Sequence, residues 1–370
     1  MYKVSNPMRK YICPICGEEF YPGESAIVST VHPGTVLQPP TTGMLSRILV
    51  KPLDGNRLTR ELAARQCPHC KNNLPRNLET VENYTIAIIG DSTSGKSHYL
   101  ASCINQLRQD YALRVIGCNA IIGQGDTDQR YYNDYYVPVY MDRQKLDLTV
   151  RAGAAVPYRP LIYELVFPDR TGVNLLFYDS SGEDLVDLAA MAQYSQFVFN
   201  ASAIIFLADP MQMPAIVATL PGYLKKDLVQ RPFKTSDVFN RVMATFRQSR
   251  KMSAGKRLKI PVAITVSKSD LLKFSATKRR LPLFLYENYY TNKLDVAKLG
   301  QIDGEVRGLL QALGDRVLLT SSQLFEDVAF FAVSATGWAP DDKGKFPPLE
   351  PTRCLDPLLW VLWRLGVVTL

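Results

Sequence analysis

Short apolar runs bounded by turn residues punctuate the chain from residue 84 onward. They are residues 84–90 (YTIAIIG), 160–168 (PLIYELVFP), 173–180 (VNLLFYDS), 203–208 (AIIFLA), 261–266 (PVAITV) and 330–333. Their length and β-branched or aromatic content predict buried strands, and the turn 169–172 (DRTG) joins two of them as an antiparallel hairpin. Between the runs the apolar period changes to that of a helix. Residues 98–108 put Leu100, Ile104 and Leu107 on one face, Val238, Val242 and Phe246 do the same within 211–260, and 355–365 (LDPLLWVLWRL) aligns Leu358, Leu359 and Leu362. Residues 115–125 read as an apolar, strand-like piece ending in glycines. Residues 126–140 (DTDQRYYNDYYVPVY) carry neither period, so they predict a long loop or irregular insertion whose tyrosines pack over the core, with stacking on a base or partner as the other use. Strands alternating with helices predict an α/β domain over residues 83–370, with a mostly parallel sheet, one antiparallel hairpin and helices on both faces. A boundary near 75–82 separates it from a small N-terminal unit over residues 1–80.

The first candidate chemistry follows the first strand. Residues 90–97 read GDSTSGKS and satisfy the phosphate-loop pattern G-x-x-x-x-G-K-[ST] between a predicted strand and a predicted helix. In such a loop the backbone N–H groups of Gly90, Asp91, Ser92, Thr93, Ser94, Gly95, Lys96, Ser97 and His98 can face phosphate at a helix N-terminus. Lys96 reaches the β and γ phosphates, and the Ser97 hydroxyl ligates Mg2+. Downstream, the second hairpin strand ends in DSSGE, residues 179–183. There Asp179 can hold the Mg2+ shell through water, and Gly182 can offer its N–H to a γ-phosphate.

The N-terminal unit carries two knuckles, YICPICGEEF at 11–20 and RQCPHCKNNLP at 65–75. Each C-x-x-C loop presents two thiolates to one ion, so Cys13, Cys16, Cys67 and Cys70 predict a closed, structural four-cysteine Zn2+ ribbon. The knuckles are farther apart than is usual, so residues 21–66 form an inserted arm, with a breaker-rich loop at 31–43. His69 sits inside a complete knuckle, which suits an exposed place, or one beside the ligands, better than ligation. The other three cysteines, Cys103, Cys118 and Cys354, are isolated.

Taken in order, GDSTSGKS, DSSGE, SKSD (267–270) and SATG (334–337) resemble the motifs of Ras-like GTPases of the translation-factor-related class, over roughly residues 83–370. The resemblance implies a P-loop NTPase fold and a GTP/GDP site with Mg2+. It assigns Asp270 to the guanine N1 and N2 donors, Lys268 to the base and ribose, and the SATG loop (Ser334, Ala335, Thr336) to guanine O6 through the Ala335 N–H. Ser267 stands where the family has Asn or Thr. Glu183 stands where many members have a water-orienting glutamine, which implies slow intrinsic hydrolysis assisted by a partner. Thr149 is the first candidate for the Mg2+-binding switch threonine, with Thr127 second. The long spacings and the cysteine ribbon together resemble the bacterial double-GTPase group, implying a role in conflict or defence systems beside partner proteins.

Composition narrows this little. The chain has 370 residues, 46% hydrophobic and 21% charged, as for a globular protein with a sizeable core. An excess of 43 Lys and Arg over 35 Asp and Glu gives a formal charge of +8, usable for nucleotide, nucleic acid or an anionic surface but not gathered into one long run. No signal-peptide-like or membrane-spanning stretch stands out, so the expected location is cytoplasmic. The leading expectation is a GTP-hydrolysing switch that signals to a protein effector or activator. The alternative is a catalytically weak GTP-binding scaffold whose ribbon and insertions bind protein or nucleic acid.

Overall fold

The computed structural model describes residues 10–32, 34–41, 63–146, 159–169, 171–179, 200–227, 235–249, 255–274, 282–285, 293–313 and 316–369. Its centre is a seven-stranded sheet in the order β12-β11-β10-β6-β9-β8-β7. The strands are β6 (Glu82–Gly90), β7 (Ala120–Gly123), β8 (Leu161–Val166), β9 (Gly172–Asp179), β10 (Ala203–Ala208), β11 (Val262–Val266) and β12 (Val328–Ala332). β12, β11, β10, β6 and β9 run parallel, whereas β8 pairs antiparallel with both β9 and β7. The central strands are apolar on both faces because helices cover both. β10 (AIIFLA) is buried at every position.

Side chains alternate across a strand, so ring contacts assign the helices to faces. Phe206 of β10 meets Phe239 of helix Thr235–Ser249 at 4.7 Å, and Phe330 of β12 lies 4.3 Å under the Arg307 guanidinium of helix Val296–Ala312. The opposite face takes helix Asp356–Arg364, whose Trp360 ring is 6.1 Å from Phe331. The residues expected on apolar helix faces, Leu100, Ile104, Leu107, Val238, Val242, Phe246, Leu358, Leu359 and Leu362, are all buried.

Three segments differ from the sequence expectation. Within the stretch 31–43 expected as a loop, Val36–Gln38 form a strand that pairs antiparallel with Ala26–Ser29. The piece at 115–125 is divided: helix α2 (Asp110–Ile116) ends on Gly117 in the left-handed region, and only then does β7 begin. Residues 126–140 are ordered as helix α3 (Thr127–Tyr131) running into a π-helix (Tyr132–Met141). The tyrosines supply the missing regularity, since Tyr132, Tyr136 and Tyr140 stack successively at 5.8 and 5.3 Å. Pro138 lacks an N–H and is accommodated within the π-helix, where the ordinary helical ladder is already interrupted.

The N-terminal unit contains a small sheet of β4 (Val36–Gln38), β3 (Ala26–Ser29) and β5 (Ala63–Gln66), and a two-stranded pair, β1 (Tyr11–Ile12) with β2 (Glu19–Phe20). Its core is a cluster of Tyr11, Cys13, Ile15, Phe20, Cys67, Leu74 and Leu78. A buried ion pair, Arg65 to Glu79 at 2.7 Å, ties β5 to the segment leading into β6. Among the described residues no helix is long and apolar enough to cross a membrane.

Candidate functional site

Four loops leave the carboxyl ends of adjacent parallel strands. They follow β6 (residues 91–95), β10 (Asp209), β11 (267–270) and β12 (333–337), and β9 ends on Asp179 beside them. β6 lies between β9 and β10, where connections diverge to opposite sides, which is where open α/β sheets bind ligands. The loop after β6 turns on Gly95, whose φ of +81° is left-handed backbone, and helix α1 (Lys96–Leu107) starts at once. A Cβ at Gly90 would lie 2.7 Å from the Leu207 carbonyl, so this position also excludes larger residues.

Lys96 is buried, and its ammonium donates to the Gly90 carbonyl at 3.0 Å and to that of Asp91. The side chain is folded back onto its own loop. Asp91 takes the Thr93 N–H on Oδ1 at 2.9 Å, and the Ser94 hydroxyl donates to the Asp91 carbonyl. Ser97 lies beside Asp179. Burial raises the Asp179 carboxyl above its ordinary range, with Ser97, Lys96 and Tyr135 acting in the opposite direction. The Tyr135 hydroxyl donates to Asp179 Oδ2 at 3.2 Å, while Oδ1 is buried without a hydrogen-bond partner. A hard cation or its water would satisfy that oxygen, so this corner fits a Mg2+ shell.

On the other side of the loop, Asp270 accepts the Ser334 hydroxyl at 2.6 Å, and the Gly337 N–H caps Ser334. Burial raises the Asp270 carboxyl, chiefly against Ser334. The SKSD and SATG loops are thus joined. The Ala335 carbonyl accepts from Ser102 of α1, which in turn accepts from Tyr140 of the π-helix. Thr336 donates to the Trp338 carbonyl. The Lys268 ammonium pairs with Asp209 Oδ2 at 2.7 Å.

Sequence reasoning missed Asp209 and Tyr135. Asp209 is buried, takes Lys268 and the Thr93 hydroxyl on one oxygen and the Met211 N–H on the other, and so links the loops after β6, β10 and β11. Its position one residue past an apolar run is the same signal that singled out Asp179. Thr127, the second switch-threonine candidate, is fully buried, and its hydroxyl oxygen accepts the Ile162 N–H at 3.1 Å. Thr149, Gly182 and Glu183 lie outside the described residues.

His98 caps the segment at 142–146, because its Nε2 accepts the Leu146 N–H at 3.2 Å while its ring stands edge-on to Phe346. Burial, then Lys268 and Lys145, bring its pKa from 6.5 down to about 4. The unfolded chain therefore takes up a proton that the folded protein refuses. Stability is expected to fall as pH drops from 6.5 to about 4, by on the order of 3 kcal/mol, and to level off below. Denaturant titrations of His98→Gln should lack that slope; a variant that keeps it would place the effect on another group.

The cysteine prediction is met as geometry. The Sγ atoms of Cys13, Cys16, Cys67 and Cys70 all lie within 4.8 Å of one another, with Cys13 to Cys70 and Cys16 to Cys67 at 3.8 Å. A tetrahedron with Zn–S bonds of about 2.3 Å has edges of about 3.8 Å, so the thiols fit Zn2+. The Ile15 N–H faces Cys13 Sγ at 3.4 Å, as a thiolate requires. Thiol hydrogen bonding, led by Cys13, pulls Cys16 down to about 5, while burial pushes Cys67 up to about 11. His69 is exposed and contacts the Glu19 carbonyl at 3.2 Å, outside the cluster.

No family model matches the chain. It is similar to a protein of Mycolicibacterium smegmatis provisionally named an ESX-1 scaffolding and assembly protein, SaeC. The two are 26% identical over 354 residues, covering 91% of this chain and 86% of that protein. The likeness corrects the leading functional expectation. A GTP-hydrolysing switch, with the GTPase and hydrolase labels it carries, is overturned by a full-length relative named for scaffolding and assembly. The alternative expectation, a scaffold, agrees better with that name. The hydrolytic reading had rested on the four nucleotide motifs taken together; Glu183, where many members have glutamine, had already spoken against it, since a carboxylate there brings negative charge toward a γ-phosphate.

Proposed function

We propose that the chain is a scaffold protein that holds a guanine nucleotide as a structural ligand and uses its cysteine ribbon and inserted helices to bind protein partners. The observation that carries the nucleotide half is the convergence of the GDSTSGKS, SKSD and SATG loops at the carboxyl ends of β6, β11 and β12, with Asp179 at the end of β9. The scaffold half draws on the relative named for ESX-1 scaffolding and assembly, which supports protein partners within an assembly of that kind. In this reading Lys96 and the loop amides of residues 91–98 hold phosphate, Ser97 and Asp179 hold Mg2+, and Asp270 with Ala335 recognises guanine. Cys13, Cys16, Cys67 and Cys70 hold Zn2+, which supplies a rigid, redox-inert cross-link.

Calorimetry with GDP, GTP and ATP in the presence of Mg2+ tests the proposal. The expected result is binding of both guanine nucleotides, no binding of ATP, and loss of guanine preference in Asp270→Ala. Single-turnover assays should show bound GTP persisting. Equal binding of ATP removes the guanine assignment, and turnover of GTP on the scale of seconds to minutes removes the structural-ligand role.

A further inference from the structure

The first cysteine knuckle is built into the nucleotide-side sheet. The Tyr178 hydroxyl donates to the Pro14 carbonyl at 2.7 Å in a buried hydrogen bond, and the Asn200 side-chain amide reaches the Gly17 carbonyl at 3.5 Å. Pro14 lies between the ligands Cys13 and Cys16, and Gly17 closes the knuckle by donating its N–H to the Cys13 carbonyl at 2.9 Å. Both residues stand at positions of consequence. Tyr178 immediately precedes Asp179 in β9, and Asn200 shortly precedes β10; these two strands flank β6 and its phosphate-type loop.

The ribbon also holds the near end of the same strand. Asn77 exchanges side-chain amide hydrogen bonds with Asn174 of β9 at 2.9 and 3.0 Å, and Asn174 donates to Asn83 of β6 at 2.8 Å. Thus β9 is fastened to the N-terminal unit at Asn174 and again at Tyr178. Because side chains alternate, Tyr178 reaches the ribbon from one face of β9 while Asp179 faces the site from the other. A strand rises only about 3.3 Å per residue and is held by neighbours on both sides, so a displacement at Tyr178 is passed to Asp179.

We propose that the knuckle is a clasp on β9, through which metal occupancy of the four-cysteine site and ligand occupancy at Asp179 are energetically coupled. With Zn2+ bound, the Cys13–Cys16 turn holds the Pro14 carbonyl in place for the Tyr178 hydroxyl. Metal loss releases that turn, the hydroxyl loses its acceptor, and the end of β9 loosens. Linkage makes the effect reciprocal, so a ligand that orders Asp179 must slow metal loss. The strand clasp stands on the hydrogen bonds alone, and its ligand arm rests on the nucleotide reading.

The test uses the full chain loaded with zinc. Hydrogen exchange of residues 175–179, without nucleotide, is expected to speed up when the metal is stripped, and likewise in zinc-loaded Tyr178→Phe. Transfer of zinc to a zinc-selective chelator is then timed with and without Mg–GDP. GDP should slow it roughly three- to tenfold in the wild type, and Tyr178→Phe should lose zinc faster and erase most of the difference. Unchanged exchange at 175–179 on metal removal overturns the clasp, as do equal zinc-loss rates in the two proteins. If calorimetry shows no GDP binding while β9 still loosens on metal removal, the nucleotide reading fails and the strand clasp stands. If GDP binds and leaves zinc loss unchanged, the coupling fails and the nucleotide reading stands. Should Tyr178→Phe misfold, the wild-type exchange and zinc-loss arms decide alone.

Discussion

Cys67→Ala is expected to abolish stoichiometric zinc binding and to unfold the N-terminal unit while leaving the seven-stranded sheet folded. Cys67 is fully buried, and among the described residues the cluster it belongs to holds seven buried side chains, two of them zinc-ligand cysteines. Small units with few buried apolar side chains draw much of their stability from a bound metal. Structural zinc contributes on the order of 10 kcal/mol to domains of this kind. Removing one thiolate also leaves three others gathered around a missing ligand. Metal analysis by mass spectrometry and hydrogen exchange over residues 10–41 and 63–80 measure the outcome. Cys118→Ala, at a buried thiol far from the cluster in sequence, should keep full zinc content. If Cys67→Ala retained both its metal and its exchange protection, the four-cysteine centre would have to be discarded.

The second large effect is expected at Lys96. In Lys96→Ala, affinity for Mg–GDP should fall at least roughly 100-fold, because a buried ammonium facing phosphate acts where water cannot screen it. The structure adds a complication that sets the control. Lys96 also donates to the Gly90 and Asp91 carbonyls, so its loss removes two hydrogen bonds that hold the loop. A purely structural lysine would lower the melting temperature and weaken ligand binding only in proportion. Calorimetry paired with thermal melts separates the two, since the phosphate role predicts a loss of affinity far beyond any loss of stability. Wild-type affinity in Lys96→Ala would remove the phosphate-loop assignment altogether.

What was legible in the sequence is what local periodicity controls. The run YTIAIIG followed by glycines and an amphipathic helix marked β6, its loop and α1, and DRTG between two apolar runs marked the β8–β9 hairpin. The two C-x-x-C units announced their cluster because ligand chemistry fixes residue type and spacing together. The tyrosine segment was unreadable because a π-helix obeys neither period, and its order comes from ring stacking and from Tyr135 on Asp179. Asp209 was passed over because its partners, Thr93 and Lys268, come from loops distant in sequence that only the sheet brings together. Tyr178 was passed over for the same reason, and the seating of the ribbon against β9 with it. The functional reading erred where a resemblance in four short motifs was extended to turnover, although the residue in the water-orienting place was already a glutamate.

The bond between Tyr178 and Pro14 spans 164 positions, whereas Cys13 and Cys70 meet across 57. During synthesis the ribbon therefore has all four ligands some hundred residues before the strand that receives it emerges. It can take up metal and fold while the sheet is still being made, and its docking must wait until β6 and β9 have paired. The order of assembly is thereby written into the chain: the N-terminal unit is a finished part carried to its seat, and a chaperone or partner that met the growing polypeptide would find its sheet-facing side still uncovered.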